Sequence, residues 1–172
     1  MGLLSFGTLL KLIPSSAGTI YVFTEYGNRL KGTPLENAAG HVLHRLYSVL
    51  STAYPTAAVV IKRGGNEATA VSQLALAKMV TICSPSTFCF WSAVAQTNYA
   101  YMPPTSYIAY DRGTHKHENV FHEKFRWLWD GAVFKNFTKE TDPRDILKTI
   151  TRDVNRTILQ KSHSRHESYS FK

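Results

Sequence analysis

Residues 80–96, VTICSPSTFCFWSAVAQ, decide how the chain is read. Val80 to Cys83 is a short β-branched run, the mark of a strand. Ser84, Pro85, Ser86 and Thr87 interrupt it, and an aromatic apolar run from Phe88 to Val94 follows that is a helix or a strand by pattern alone. A polar segment between two segments that favour burial has two readings. It is a capped turn whose hydroxyls satisfy their own backbone. Or it is a loop at a strand end where Ser84, Ser86 and Thr87, with the unpaired N–H groups of a helix start, receive a phosphate aided by the helix dipole. The pattern weighs the two evenly.

Upstream, GTIYVFTEY (18–26) is rich in β-branched and aromatic residues and ends at the turn pair Gly27-Asn28, so it reads as a strand. Thr33 then caps a helix, with Pro34 at its first position and Glu36 closing a capping box. Ala39, Val42, Leu43, Leu46, Val49, Leu50 and Ala53 form one face of that helix, which ends before Pro55. TAAVVIKRGG (56–65) is a continuous apolar run stopped by glycines, as in a strand covered on both faces. Asn66 caps a second helix over about 67–78. Downstream, a strand is expected near 105–109 after a Pro-Pro break, an aromatic helix from Glu118 to Trp129 with Gly131 as its stop, and a last helix opened by Asp142-Pro143.

The order strand, helix, strand, helix, strand, loop, helix, strand predicts an α/β fold, a mostly parallel sheet flanked by helices with right-handed crossovers. A C-terminal helical extension follows. Charge density divides the chain in the same place: residues 1–110 hold ten charges and residues 111–172 hold twenty-two, with an excess of +4 in each part. A sheet-rich domain over 1–112 and a charged helical extension over 113–172 packing on it are therefore expected. The overall +8 suits anionic partners, but no dense basic block demands nucleic acid. With 44% hydrophobic residues the chain is globular in composition.

The first fourteen residues are apolar but too short to span a bilayer, and they lack a basic start and a small-residue cleavage site. The run from Leu74 to Ala95 is long enough, yet Lys78 and the Ser84–Thr87 segment interrupt it. No signal or transmembrane segment is therefore read. Cys83 and Cys89 set no disulfide framework and read as two buried free thiols, pairing only if the loop between them folds back. Two sequons, at Asn136 and Asn155, lean slightly towards a secretory compartment.

NEATAVSQLALAKMVTICSPSTFCFWSAVAQTNYAYMPP (66–104) resembles the C-terminal nucleotide-sugar half of fucosyltransferase-like glycosyltransferases. Its features are the acidic Glu67, a helix containing Leu74-Ala75-Leu76-Ala77, the strand Val80–Cys83, the Ser84–Phe88 segment of S-x-S-T-F type, then Trp91 and Pro103. The likeness covers roughly residues 18–110 and is specific only over 66–104. It implies that residues 1–112 are the Rossmann-like nucleotide-sugar-binding domain of a GT-B-like transferase of the Golgi, moving fucose from GDP-fucose to a glycan or glycoprotein acceptor, without a metal or other cofactor. Ser84, Ser86, Thr87 and Phe88 would line the diphosphate site and Glu67 would lie near the nucleotide. The basic H-x-R-x-G-D-like element of the family's other half has no counterpart in this sequence, so the chain reads as a fragment, a truncated paralogue or a reduced relative, or as one whose missing half another domain or chain supplies. No catalytic residue is assigned.

Arg63 joins the candidates on its own ground: a guanidinium at the C-terminal end of a strand can grip a diphosphate bidentately. His115, His117 and His122 do not form an H-E-x-x-H arrangement and read as solvent-facing, so no metal site is expected. His41, His44 and Arg45 read as the polar face of the first long helix. Arg144, Lys148, Arg152 and Arg156 form a basic row opposite the apolar stripe Ile146, Ile150, Val154 and Ile158. The row and the weakly charged core are the basis of the alternative, a nucleic-acid-binding or structural/assembly protein, although Asp145 and Asp153 at ion-pair spacing favour a solvated face for the row.

Overall fold

In the computed structural model, which describes residues 3–24, 34–84, 87–103, 123–128, 132–133 and 142–169, the alternating pattern gives a mixed α/β chain. Small parallel sheets are flanked by helices. The chain forms two compact units, one of residues 1–4 with 65–136, the other of residues 5–64 with 137–172. The sequence boundary at 112 divides charge density, whereas this division follows packing.

The second of these units contains α1 (Phe6–Leu12), β2 (Thr19–Thr24), α2 (Pro34–Ala53) and β3 (Ala58–Arg63). The strands are parallel and in register from Thr19 opposite Ala58 to Thr24 opposite Arg63, so α2 is a crossover helix. Its apolar face buries Leu43, Val49, Leu50 and Ala53, while His41, His44 and Arg45 are exposed. Thr33, read as its cap, lies outside the described residues. Ser5 caps α1 by accepting from the Thr8 amide at 3.1 Å. At the other end of α1, Tyr54 Oη donates to the Leu10 and Ile13 carbonyls at 3.0 and 2.8 Å. Lys161 Nζ, 5.0 Å from the centre of the Tyr54 ring, also donates to Ile13. The orphan carbonyls of a buried helix end are thus satisfied by side chains distant in sequence.

The expected last helix is two: α5 (Pro143–Ile150) and α6 (Val154–Tyr169), separated by a turn. Thr151 caps α5, its hydroxyl bonding back to the Leu147 carbonyl at 2.7 Å, which favours a local turn over helix continuation. The tail from Ser162, which looks loosely ordered by composition, continues α6 to Tyr169. At its start, Asp142 caps α5; the Arg144 amide and then the Arg144 guanidinium hold its carboxyl below the usual value. Ile146, Ile150 and Val154 are buried and Ile158 half-buried, while the row Arg144, Lys148, Arg152 and Arg156 is exposed. Gly7 permits the approach of α1 to α6, since a Cβ there would meet the Asp153 Cβ at 3.1 Å. Ile150 has no exposed surface, so Ile150→Ala should lower stability by about 2–4 kcal/mol in urea unfolding. A loss under about half a kcal/mol would make this stripe peripheral.

The other unit holds α3 (Glu67–Ala75), β4 (Val80–Ile82), α4 (Thr87–Ala95), β5 (Tyr99–Met102) and β6 (Phe125–Trp127). The three strands are parallel in the order β4-β5-β6. A two-residue β1 (Leu3–Leu4) pairs antiparallel with β7 (Ala132–Val133). The core of this unit is Cys83, Cys89, Phe90, Ala93, Ala100, Met102 and Phe125. Within 123–128 the expected aromatic helix is a strand: Phe125 is buried, Arg126 exposed, and Ala100 stands opposite Phe125 in the parallel register. The strand expected near 105–109 and the stop at Gly131 lie outside the described residues, as do His115, His117 and His122. Among the described residues no helix is long and apolar enough to cross a membrane.

Candidate functional site

The Ser84–Thr87 segment joins the C-terminal end of β4 to the first residue of α4. Phe88 to Val94 is helical, which settles the ambiguity left by its pattern. Just before the segment, the Cys83 amide donates to Tyr101 at 2.8 Å and extends the β4–β5 ladder. Ser84, next along, is exposed. Because the three strands are parallel, their C-terminal ends share one edge, and α4 starts from it. Phe88 is half-buried, and beyond it Phe90 and Ala93 enter the core while Trp91 stays 67% exposed. Ser86 and Pro85 lie outside the described residues.

Glu67 is the first residue of α3 and is exposed. Asn66 caps that helix, its side chain accepting from the Ala68 and Thr69 amides at 2.8 and 3.2 Å. Where α3 ends was not foreseen, and the residue that organises it was missed by sequence reasoning. Gln96, directly after α4, donates through Nε2 to the carbonyls of Leu74 and Ala77 at 3.2 and 3.0 Å and to Thr81 Oγ1 at 2.9 Å. Its Oε1 accepts from the Asn98 amide at 3.0 Å, and Thr81 Oγ1 itself donates to Leu74 at 2.6 Å. The C-terminal ends of α3 and α4 therefore meet at Gln96. The two helices pack along one another, and each has nine residues, about 13 Å of helix. Their N-terminal ends, with Glu67 on one and Thr87 on the other, open on the same side, the C-terminal edge of the sheet. Two helix N-termini at one edge give a local excess of positive potential.

Cys83 and Cys89 are joined in a disulfide, not free thiols. The polar loop does fold back, bringing the end of β4 and the first turn of α4 to a Cα separation of 5.6 Å. Both residues are buried, and the covalent ring encloses Ser84 to Phe88. Chain-entropy arguments give so small a ring about 2 kcal/mol of stabilisation.

Arg63 ends β3 in the other unit and is exposed. Gly64 and Gly65, both at positive φ (62° and 103°), turn the chain directly after it, and Asn66 and Glu67 follow. A Cβ at Gly65 would meet nothing within 4 Å, so backbone conformation, not space, calls for glycine there. The structure thus brings Ser84, Thr87, Phe88 and Glu67 into one unit, with Arg63 outside it. Among the described residues no group of three or more His, Cys, Asp or Glu side chains is placed to hold a metal ion.

Compared with models of protein families, with curated proteins and with solved structures, the chain matches none.

Proposed function

We propose that the unit built on β4, β5 and β6 is the Rossmann-like donor-binding half of a fucosyltransferase-like glycosyltransferase. The observation that carries this reading is the Ser84–Thr87 connection, which leaves the C-terminal end of a parallel strand and enters α4 where α3 also begins. The amides of Thr87 and Phe88 and the hydroxyls of Ser84, Ser86 and Thr87 bind the diphosphate of GDP-fucose. The Glu67 carboxylate, an acceptor, takes hydroxyl or N–H donors of the nucleoside. In the reaction an acceptor hydroxyl oxygen forms a bond to C1 of fucose, the C1–O bond to GDP breaks, and the hydroxyl proton passes to a base. That base and the basic contacts come from another domain or chain, which also binds the glycan or glycoprotein acceptor. No metal or organic cofactor enters this scheme.

The Cys83–Cys89 disulfide supports an oxidising compartment, as do the two sequons, and the secretory pathway with its Golgi cisternae fits both. A second reading, a nucleic-acid-binding or assembly protein, is favoured by the exposure of Arg144, Lys148, Arg152 and Arg156 together on α5, α6 and the turn between them. It requires affinity that falls steeply with salt.

Calorimetric titration of GDP-fucose into the chain and into Ser86→Ala and Thr87→Ala tests the first reading. Losing one hydrogen bond to a charged phosphate, about 1.5–3 kcal/mol, should weaken binding about ten- to hundredfold with the melting curve little changed. Lower melting from a lost cap, about 1 kcal/mol, with no nucleotide effect would instead mark the segment as a plain turn. Absence of binding to the intact chain at millimolar nucleotide would end the donor-binding reading.

A further inference from the structure

We propose that the Cys83–Cys89 disulfide is a positioning clamp for the donor loop, so that nucleotide affinity follows the oxidation state of this bond while the fold persists. The inference rests on the donor-binding reading of the same loop. Its basis is that the two ends of α4 are held by different means. At the C-terminal end, Gln96 fastens the helix to Leu74, Ala77 and Thr81 through three hydrogen bonds, with only 2% of its own surface exposed. At the N-terminal end, the disulfide ties the first turn to β4.

The clamp is anchored on both sides. Cys83 is wholly buried and bonded to β5 through its amide, and Cys89 belongs to the core with Phe90, Ala93, Ala100, Met102 and Phe125. The first amides of any helix lack intrahelical acceptors, so the first turn frays before the rest unless something holds it. Those same amides, on Thr87 and Phe88, are the ones assigned to the diphosphate. A bond that fixes their distance from Ser84 removes ordering that the ligand would otherwise have to impose.

Reduction takes two electrons and two protons. A dithiol such as dithiothreitol supplies them, becoming a disulfide while Cys83 and Cys89 become thiols. Because the bond is buried, attack on it requires local opening of the β4–α4 junction. The bond is therefore built to persist in an oxidising compartment and to act as an organiser.

Amide hydrogen exchange and GDP-fucose titration, both on the oxidised chain, on the chain reduced with dithiothreitol and on the double variant Cys83→Ala/Cys89→Ala, test this. On loss of the bond, the amides of Phe90 and Trp91, directly after Cys89 in α4, should exchange at least about tenfold faster. Those of Val94 and Ala95 and of β5 should be unchanged. GDP-fucose affinity should fall at least about tenfold at temperatures well below the melting midpoint, a readout that a merely structural staple would leave unmoved. Unchanged exchange at Phe90 and Trp91 overturns the proposal, as does loss of protection throughout α4 and β5, or a reduced chain that binds as tightly as the oxidised one. If the oxidised chain binds no nucleotide, the donor-binding reading fails and its loop is no donor loop, while the exchange data still decide whether the bond orders the α4 start. If the double variant does not fold, the reduced natural chain decides by the same two readouts.

Discussion

Gln96→Leu should lower the stability of the β4–β5–β6 unit by about 2–4 kcal/mol, since a buried polar group left without its partner costs about 1–3 kcal/mol and the groups that keep one bond lose part of that. The side chain is 2% exposed and works as a bracket: one amide group serves Leu74, Ala77 and Thr81, and its oxygen serves Asn98. Leucine fills a similar volume but satisfies none of these groups. Leu74 keeps its bond from Thr81, and Ala77 keeps a longer one, 3.4 Å, from Asn98, so the loss is partial at both carbonyls. Gln96→Glu separates shape from donation. Its oxygen can still accept from Asn98, but a carboxylate would face three acceptors in a buried place, which raises its pKa above the unfolded value. An acid with a raised folded pKa is tolerated when protonated and costs more as pH climbs above its unfolded pKa of about 4.3. The deficit of Gln96→Glu relative to the natural chain should therefore be small near pH 4 and grow towards neutrality in urea unfolding. A Gln96→Leu cost below about 1 kcal/mol, or a Gln96→Glu deficit independent of pH, would show that the bracket carries little.

Nothing in the sequence marks Gln96. It stands in Gln-Thr-Asn after an apolar run, where a polar residue ordinarily means the surface turn that ends a helix. Its role depends on where the chain returns twenty residues earlier, at Leu74 and Ala77, and that meeting of two helix ends is a tertiary fact. Tyr54 and Lys161 are similar: what they cap is the end of α1, brought to them by packing that no local pattern encodes.

What was legible rests on strong local physics. Pro34 at a helix start, the apolar stripe over Ala39–Ala53 and the proline after it are together sufficient for α2, whose span is Pro34–Ala53. Strands β2, β3 and β4 fell where β-branched runs meet glycine or the polar loop, each within a residue or two of expectation. Asp142 before Pro143 marked the start of α5, but the stripe Ile146, Ile150, Val154, Ile158 keeps helical spacing across a break that Thr151 makes, so one helix was read where there are two. The cysteine pairing turned on the single condition that the intervening loop fold back. Pro85 and three hydroxyl residues favour a turn, and the reading of free thiols gave that too little weight.

The places of Ser84 after β4, of Thr87 and Phe88 in the first turn of α4 and of Glu67 at the start of α3 were legible in the sequence. What brings Glu67 and Thr87 to one side is the meeting of α3 and α4 at Gln96, which was not. Arg63 was chosen for its strand end, and it does end β3.

Phe125→Ala should cost about 3–5 kcal/mol, the range for removing a fully buried aromatic ring. Phe125 has no exposed surface and fills the core between Cys83, Cys89, Phe90, Ala93, Ala100 and Met102. It also meets the half-buried Trp127 edge to face, with ring centres 5.0 Å apart. The strand that carries it is only three residues long, so backbone pairing alone holds it weakly. Two flanking bonds, from the Ala100 amide to Lys124 at 3.1 Å and from the Leu128 amide to Met102 at 2.8 Å, complete its hold on β5. Removing the ring should therefore release β6 from β5 as well as open a cavity, and the Ala100 amide should lose its protection from hydrogen exchange. The neighbouring exposed Arg126 gives the contrast. In a strand, residues 125 and 126 point to opposite faces, so Arg126→Ala should cost within about half a kcal/mol. In the aromatic helix that the sequence suggested, Arg126 would lie only about 100° round from Phe125 and the two would share much of one surface. Equal costs at the two positions, or full Ala100 protection in Phe125→Ala, would refute the parallel β5–β6 pairing.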